Sequence, residues 1–437
     1  MDDGGLGVVR IKPLGVGMSD QGALQASKDV EFCSQSSRLV VDGRQFTYPS
    51  HVIAPTMNNQ EMYDAFMPNR VEAFLQGINV NIMAYGQTGS GKTHTMFGPP
   101  GIMARAAARE FGDEVCPDYG MFPRGLIAIF EAVELMRQSG EAAVLTASAV
   151  ELANDGNRDM LCPSQVVRDP KEKKVWDSAQ LGVALDRSSE PPRLYGMTEL
   201  TLDGRESLIP VFAGIATRNT AATKMNDASS RSHCFVYLTL RVYDSTADAI
   251  RTSRFQFCDL AGSERLEEAH GEACNPFKDG GEVMNGFGTN FTLMMLSSCA
   301  RQLVEARRKR KMKSFSFRTF LVDLVMLLKE SMTGTASTAC FVCLSQAPAN
   351  LSQSKYALDF GEVFANLSMR PEARPREPRK KLVRATRELL QEAEKVAVAA
   401  IESLDGPNPE HHTLLAQMTR FGDRPAQPYF QRGRFNA

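Results

Sequence analysis

Two rhythms of apolar and polar positions alternate through most of this chain. Val80-Asn81-Ile82-Met83-Ala84-Tyr85 is a short apolar run of strand length, Cys234 to Leu240 alternates as a half-buried strand does, and Phe255 to Asp259 and Ala339 to Leu344 read as further strands. Between them, apolar residues recur every three or four positions. Met62 to Gln76 shows this spacing and stops at Gly77, and Gly125 to Met136 shows it again, entered through Met121-Phe122-Pro123-Arg124. Strands alternating with helices predict an α/β fold, a sheet with helices on both faces. Two stretches fit neither rhythm. Phe97 to Gly120 is rich in Gly, Pro and Ala and reads as a long loop, and Asp169 to Arg193 is charged and proline-bearing, an exposed excursion.

The pattern changes after Leu367. Residues 368–378 carry Arg370-Pro371-Glu372-Ala373-Arg374-Pro375-Arg376-Glu377-Pro378, a linker too polar and stiff for a core. Residues 379–404 predict one amphipathic helix with Leu382, Leu389, Ala393, Val396, Ala400 and Leu404 on a stripe. Leu382, Leu389 and Val396 stand seven apart, a short heptad series that allows self-association, although a helix folding back on the core or on a partner is favoured. Residues 405–437 mix Pro, Gly, Arg and aromatics and read as disordered.

Composition narrows the class. With 437 residues and 43% hydrophobic content there is material for a large core, and a formal charge of −1 gives no overall attraction to nucleic acid. The start lacks the basic and apolar regions of a signal peptide, and no apolar run approaches the ~20 residues of a membrane span. An intracellular, soluble protein is expected. Nine scattered cysteines then predict free thiols, and in Cys340-Phe341-Val342-Cys343 the two sulfurs should face opposite sides of a strand.

Chemistry concentrates first at residues 86–93. Gly86-Gln87-Thr88-Gly89-Ser90-Gly91-Lys92-Thr93 fits G-x-x-x-x-G-K-[ST], directly after the strand at 80–85. Glycines let the backbone turn successive N–H groups towards phosphate oxygens. Lys92 supplies a cation for the β- and γ-phosphates, Thr93 a hydroxyl for Mg²⁺, and a following helix its positive end. These residues predict a nucleotide site.

Two later segments extend that reading. Asn226-Asp227-Ala228-Ser229-Ser230-Arg231-Ser232-His233 precedes one strand, and Asp259-Leu260-Ala261-Gly262-Ser263-Glu264 ends another. In this order after a P-loop they resemble switch I and switch II of kinesin motor domains. The resemblance runs from Val9-Arg10-Ile11-Lys12-Pro13-Leu14 to Tyr356-Ala357-Leu358-Asp359-Phe360-Gly361. It implies a motor domain over 1–367 with the P-loop NTPase core of the kinesin/myosin type, a central, mostly parallel mixed sheet with helices on both faces. It also implies ATP and Mg²⁺ as ligands, microtubules as partner, and a place on the cytoplasmic cytoskeleton. Residue by residue, Ser229 and Ser230 would reach the γ-phosphate and the metal's water shell, Asp259 would hold Mg²⁺ through water, and the Gly262 amide would sense the γ-phosphate. Arg231 and Glu264 would pair to close the pocket, Glu264 also relaying a proton from the attacking water. Arg10 and Pro13 match the adenine-side motif, with Lys12 in place of its second arginine, and His94 would stack on the base.

The track-facing half departs from the family. The loop after switch II runs from Arg265 to Gly288 and carries Glu267, Glu268 and Glu272. The helix motif I-N-K-S-L appears as Thr289-Asn290-Phe291-Thr292-Leu293, and Y-R-D-S-K-L-T as an apolar stretch around Phe317 to Asp323. Compensating charge is expected from Arg307, Arg308, Lys309, Arg310, Lys311 and Lys313. Pro371 and Pro375 lie where a docking neck linker needs backbone donors. Two functions follow as expectations: an ATP-driven microtubule motor, plus-end directed by default, or a nucleotide-switched static microtubule-associated protein. No guanine-reading N-K-x-D follows the switches, which argues against a GTPase.

Overall fold

The strand at 80–85 is buried at all six positions, as a strand covered on both faces must be. It is the centre of the sheet. In chain order the main strands are β1 (Leu6–Ile11), β2 (His51–Ile53), β3 (Val80–Tyr85), β4 (Ala142–Ala153), β5 (Leu200–Thr201), β6 (His233–Asp244), β7 (Ala249–Asp259) and β8 (Ser337–Leu344). Their spatial order is β5-β4-β6-β7-β3-β8-β1-β2. From β7 across to β2 the neighbours are parallel, with Phe255 opposite Val80, Ser337 opposite Val80, and Leu6 opposite Ala339. The β4 pairings to β5 and β6 are antiparallel. The mixed, mostly parallel α/β sheet is therefore the one expected. This computed structural model describes residues 6–13, 28–46, 50–153, 156–162, 166–168, 175–177, 183–186, 192–224, 231–264, 281–320, 322–388 and 391, with the side chains of 6, 156, 166–168, 175–177, 184, 186, 193, 195, 219–224 and 281–289 excluded.

Helices cover both faces. Helices α1 (Asn59–Phe66), α2 (Pro68–Leu75), α5 (Met121–Gln138) and α6 (Leu208–Lys224) pack on one side. There the Phe74 ring meets Phe255 edge-on at 5.6 Å, and Phe122 meets Phe257 at 5.4 Å. Helix α7 (Gly281–Arg308) and the helix Leu351–Ala365 cover the other, where Tyr85 stacks on Phe360 at 4.0 Å. Cys343 falls in the first core layer and Cys340 in the second, as the strand period requires, and both are free thiols. Among the described residues, no helix is long and apolar enough to cross a membrane.

Local chemistry redraws several boundaries. The run predicted as one helix over 62–76 is two, because Pro68 has no N–H to continue the first and instead opens the second at its N1 position. Asn58 caps α1 through a reciprocal box with Glu61. The helix predicted at 125–136 runs from Met121 to Gln138, with Pro123 tolerated in its first turn. The loop 97–120 contains a further helix, α4 (Ile102–Ala107), which buries Ile102, Met103 and Ala106. Within 169–193, the short strands Val175–Asp177 and Ala184–Asp186 pair in separate two-stranded ladders, and the remainder is outside the described residues except 183, 192 and 193. The long loop placed after switch II ends earlier than Gly288, since α7 is already helical from Gly281.

The chain divides into two units, residues 1–243 with 251–375, and residues 244–250 with 376–437. In the first, the proline-bearing segment is held to the core by backbone bonds. Arg370 N–H donates to the Gly334 carbonyl at 2.7 Å, Arg374 N–H donates to the Gly77 carbonyl at 2.8 Å, and Ala373 bridges Ile78. The expected shortage of donors is thus not met, because the donors used lie between Pro371 and Pro375 or before them. In the second unit, Glu377 and Pro378 pair antiparallel with Ile250 and Ala249, and Arg379 donates from Nε to Asp248 Oδ1 at 2.6 Å. The chain then turns helical over 379–388, where Leu382 is half-buried and every other position is exposed. Of 389–404 only 391 is described, and 405–437 lies outside the described residues.

Candidate functional site

The carboxyl ends of the parallel strands β3, β7 and β1 bring the predicted segments together, the place where open α/β sheets bind ligands. Gly86 leaves β3 with φ of 147°, and a Cβ there would collide with the Cys343 carbonyl, so both conformation and space demand glycine. Gly91, with φ of 99°, caps the short helix α3 (Lys92–Met96), which ends at Phe97 ahead of Gly98 and two prolines. Lys92 is 7% exposed and its Nζ donates to the Gln87 carbonyl at 2.8 Å. Burial lowers its pKa, while the nearby carboxylates of Glu264 and Asp259 work to keep it charged. Gln87 Oε1 and Ser90 Oγ are buried without a hydrogen-bond partner among the described residues.

The strand end at Asp259 closes on this loop. Thr93 Oγ1 donates to Asp259 Oδ2 at 2.8 Å, Leu260 N–H to the Ala84 carbonyl at 3.3 Å, and Ser263 N–H to the Gly86 carbonyl at 3.1 Å. Glu264 accepts from the Thr88 N–H at 2.8 Å and the Thr88 hydroxyl at 2.5 Å. Gly262 is pressed against the same two side chains, with no room for a Cβ. Arg231 is half-buried at the start of its described segment, whereas Ser229 and Ser230 lie outside the described residues.

On the base side, Arg10 donates to Thr95 Oγ1 at 2.7 Å, and Thr95 Oγ1 donates to the Gly91 carbonyl at 2.8 Å, tying β1 to the phosphate loop. Burial lowers the Arg10 pKa. His94 is an exposed position, yet partial desolvation of its ring first, then Arg10, lowers its pKa below the usual histidine value. Pro13 is exposed.

Sequence reasoning missed Arg218 of α6. Its Nη1 donates to Asp259 Oδ2 at 2.6 Å, its Nη2 to the Ser232 carbonyl at 3.0 Å, and Glu151 lies 3.6 Å away. Both ionic side chains of the Arg218–Asp259 pair are 1% exposed. Burial works against the guanidinium's charge, but Asp259 and its neighbours outweigh it and leave the pKa raised. The available signal was an arginine inside an otherwise apolar helical run, where a buried charge requires a partner.

A family model described as the kinesin motor domain matches residues 17–367. The chain belongs to the kinesin motor-domain family. It is 27% identical to Kinesin-like protein KIF11-B of Xenopus laevis over 362 residues, covering 80% of this chain and 30% of that one. It is also 27% identical to chromosome-associated kinesin KIF4 of Gallus gallus over 366 residues, covering 83% of this chain and 27% of that one. The chain thus spans less than a third of the length of these curated relatives. A solved structure described as a fast kinesin shares the fold, with a TM-score of 0.64 and 22% identity over 86% of this chain and 94% of that chain.

Kinesin motor domains as a family are ATPases, bind nucleotide typically with Mg²⁺, and work on microtubules. The residues here suit that cation. Asp259 Oδ1 is buried without a hydrogen-bond partner among the described residues, beside the Thr93 hydroxyl, an acceptor set a hydrated Mg²⁺ can use. The six basic residues expected at the track divide into two kinds. Arg307 is half-buried at the end of α7, and its guanidinium donates to the Thr333 carbonyl at 2.7 Å and the Ser368 carbonyl at 3.2 Å. Arg308, Lys309, Arg310, Lys311 and Lys313 are exposed, with Lys309 2.6 Å and Arg308 3.5 Å from Glu305. Phe291 and Met294 are exposed on α7, at 41% and 54%.

Proposed function

We propose that this kinesin-family chain hydrolyses ATP and couples turnover to movement or force along microtubules of the cytoplasmic cytoskeleton. The observation that carries this reading is the closed contact of phosphate loop and switch II, with Thr93 on Asp259 and Glu264 on Thr88. In that arrangement Lys92 would exchange the Gln87 carbonyl for a phosphate oxygen, and the loop amides from Gly86 to Thr93 would cradle the remaining charge. Arg10, Pro13 and His94 would flank the base. Thr93, Ser230 and Asp259 would hold Mg²⁺, which when bound supplies neutralising charge at the phosphates. Ser229 and Ser230 would reach the γ-phosphate, and Gly262 would offer its amide. Glu264 would leave Thr88 to pair with Arg231 and to orient the attacking water and accept its proton.

A Glu264→Ala variant is therefore expected to bind ATP yet turn it over about 100-fold more slowly, the usual scale for losing a positioned acid–base group. Arg231→Ala should match it, and the double variant should be little worse than either, since residues acting as a unit are not additive. Fully additive losses in phosphate-release assays would show that the two side chains act separately.

The exposed apolar pair Phe291 and Met294 on α7 favours a second reading, a nucleotide-switched static microtubule-associated protein. ATPase rates with and without microtubules, combined with single-molecule tracking, separate the two. Electrostatic contact would come from the exposed Arg308, Lys309, Arg310, Lys311 and Lys313. Neutralising these five, with Arg307 spared because it holds backbone carbonyls, should weaken co-sedimentation with microtubules at low salt and flatten its salt dependence. Basal turnover should be unaffected. Binding as tight as the parent's across the salt series would make the loop an ordinary solvated surface.

A further inference from the structure

His233 ends the predicted switch I run but receives no role from the nucleotide chemistry. It is 4% exposed at the start of β6, and both ring nitrogens are engaged. Ala261 N–H donates to Nδ1 at 3.0 Å, and Nε2 lies 2.9 Å from Thr292 Oγ1 on α7. Because Nδ1 accepts a hydrogen bond from a backbone amide, the neutral ring carries its proton on Nε2, which donates to Thr292. Burial first, then the charges of Arg218 and Lys92, depress the imidazole pKa to about 3, so this tautomer persists through the physiological range.

Any buried imidazole needs a partner at each ring nitrogen, and what matters here is which elements supply them. Here the partners stand 28 and 59 residues away in sequence, one on the switch II backbone and one on the long helix. Ala261 is joined directly to Gly262, whose amide would meet the γ-phosphate. Thr292 is next to Phe291 and two residues before Met294, the exposed apolar positions of α7. Helix α7 has 28 residues and so extends about 42 Å, long enough to carry a shift from Thr292 to Arg307 at its far end.

We propose that His233 is a positioning residue that couples the Ala261–Gly262 backbone to helix α7 through Thr292. This inference rests on the nucleotide-switched reading above and assigns a particular side chain to the link between site and helix. Movement of Gly262 towards a γ-phosphate pulls Ala261, and the imidazole transmits that displacement because its second nitrogen holds the helix. Without the Thr292 hydroxyl, the nucleotide still binds but the helix no longer follows its state.

The test is hydrogen exchange of α7 peptides in the full chain, with ADP and with a non-hydrolysable ATP analogue. In the parent, exchange across 288–300 should differ between the two nucleotides by about fivefold, the factor that one net hydrogen bond confers. Thr292→Val, which keeps the shape and loses the hydroxyl, should abolish the difference, and Thr292→Ser should restore it. His233→Asn can retain the bond to Ala261 but cannot reach Thr292, and should behave like Thr292→Val. Fluorescent-nucleotide binding is measured on every variant. A Thr292→Val protein whose α7 still responds as the parent's does would overturn the proposal, as would a parent that binds both nucleotides without any difference in α7. A parent that binds neither nucleotide would instead sink the nucleotide-dependent function itself, and this coupling with it.

Discussion

Lys92→Ala is expected to abolish measurable ATP turnover while leaving the fold intact. The Lys92 ammonium is buried at the first turn of α3, held by the Gln87 carbonyl and surrounded by the carboxylates of Glu264 and Asp259. It is placed for a phosphate, and a preorganised cation in a dry site contributes most where transition-state charge develops. Removing one such donor typically slows chemistry by about 10²–10³-fold. The structural cost is smaller. One backbone carbonyl loses a donor, about 1–3 kcal/mol if no water replaces it, and relief of the buried ammonium's desolvation offsets part of that. Phosphate release should therefore vanish in a variant whose circular dichroism and unfolding remain cooperative. Parental turnover by a folded Lys92→Ala protein would mean that the octapeptide is not a phosphate-binding loop here.

That octapeptide was legible because its chemistry is local. Gly86, Gly91, Lys92 and Thr93 act through fixed spacing, and the strand before them announces itself by six consecutive buried positions. The free cysteines on opposite faces followed equally well from a period of two. Boundaries set by a single backbone feature were harder. The helical rhythm of 62–76 persists straight through Pro68, so apolar spacing alone joins two helices that the missing N–H separates. Helix α4 hides in a stretch whose Gly and Pro content suggests a loop, and six residues are too few for a clear periodicity.

Non-local partnerships were the least legible. Counting prolines in 368–378 suggested a segment without donors, but what matters is which residues face the core, and Arg370 and Arg374 supply those N–H groups. Arg307 looked like its basic neighbours in sequence, yet the helix end turns it towards the Thr333 and Ser368 carbonyls. The roles of Ser229 and Ser230 lie outside the described residues and rest on the family resemblance. His233 and Thr292 were each quoted within a motif, but nothing in either motif says that the two side chains meet.

Arg218 is the most consequential of these hidden partners, and its removal should have the largest effect on stability. Arg218→Ala would leave the Asp259 carboxylate 1% exposed with one donor, Thr93, and would strip the Ser232 carbonyl of its guanidinium bond. Breaking a buried pair on one side costs about 3–5 kcal/mol, because the surviving charge stays desolvated. Against a typical total of about 5–15 kcal/mol, that is a large share. Urea unfolding of the nucleotide-free protein should show the loss directly. Asp259→Asn alone should also destabilise, since it removes the carboxylate that the buried guanidinium contacts at 2.6 Å and leaves Glu151, 3.6 Å away, as a more distant neighbour among the described residues. The double variant Arg218→Met with Asp259→Asn removes both charges and replaces one with an apolar side chain of similar length. It should be markedly more stable than the sum of the separate Arg218→Met and Asp259→Asn losses predicts, the signature of residues in direct contact. Strict additivity, or an Arg218→Ala loss below about 1 kcal/mol, would mean that solvent reaches Asp259 and that the pair is not the buried anchor of the site. The outcome also bears on function. Asp259 is the residue on which Thr93, Arg218 and the proposed hydrated cation converge, so a chain that loses Arg218 should bind Mg²⁺–ATP with altered affinity even where enough folded protein remains to measure it.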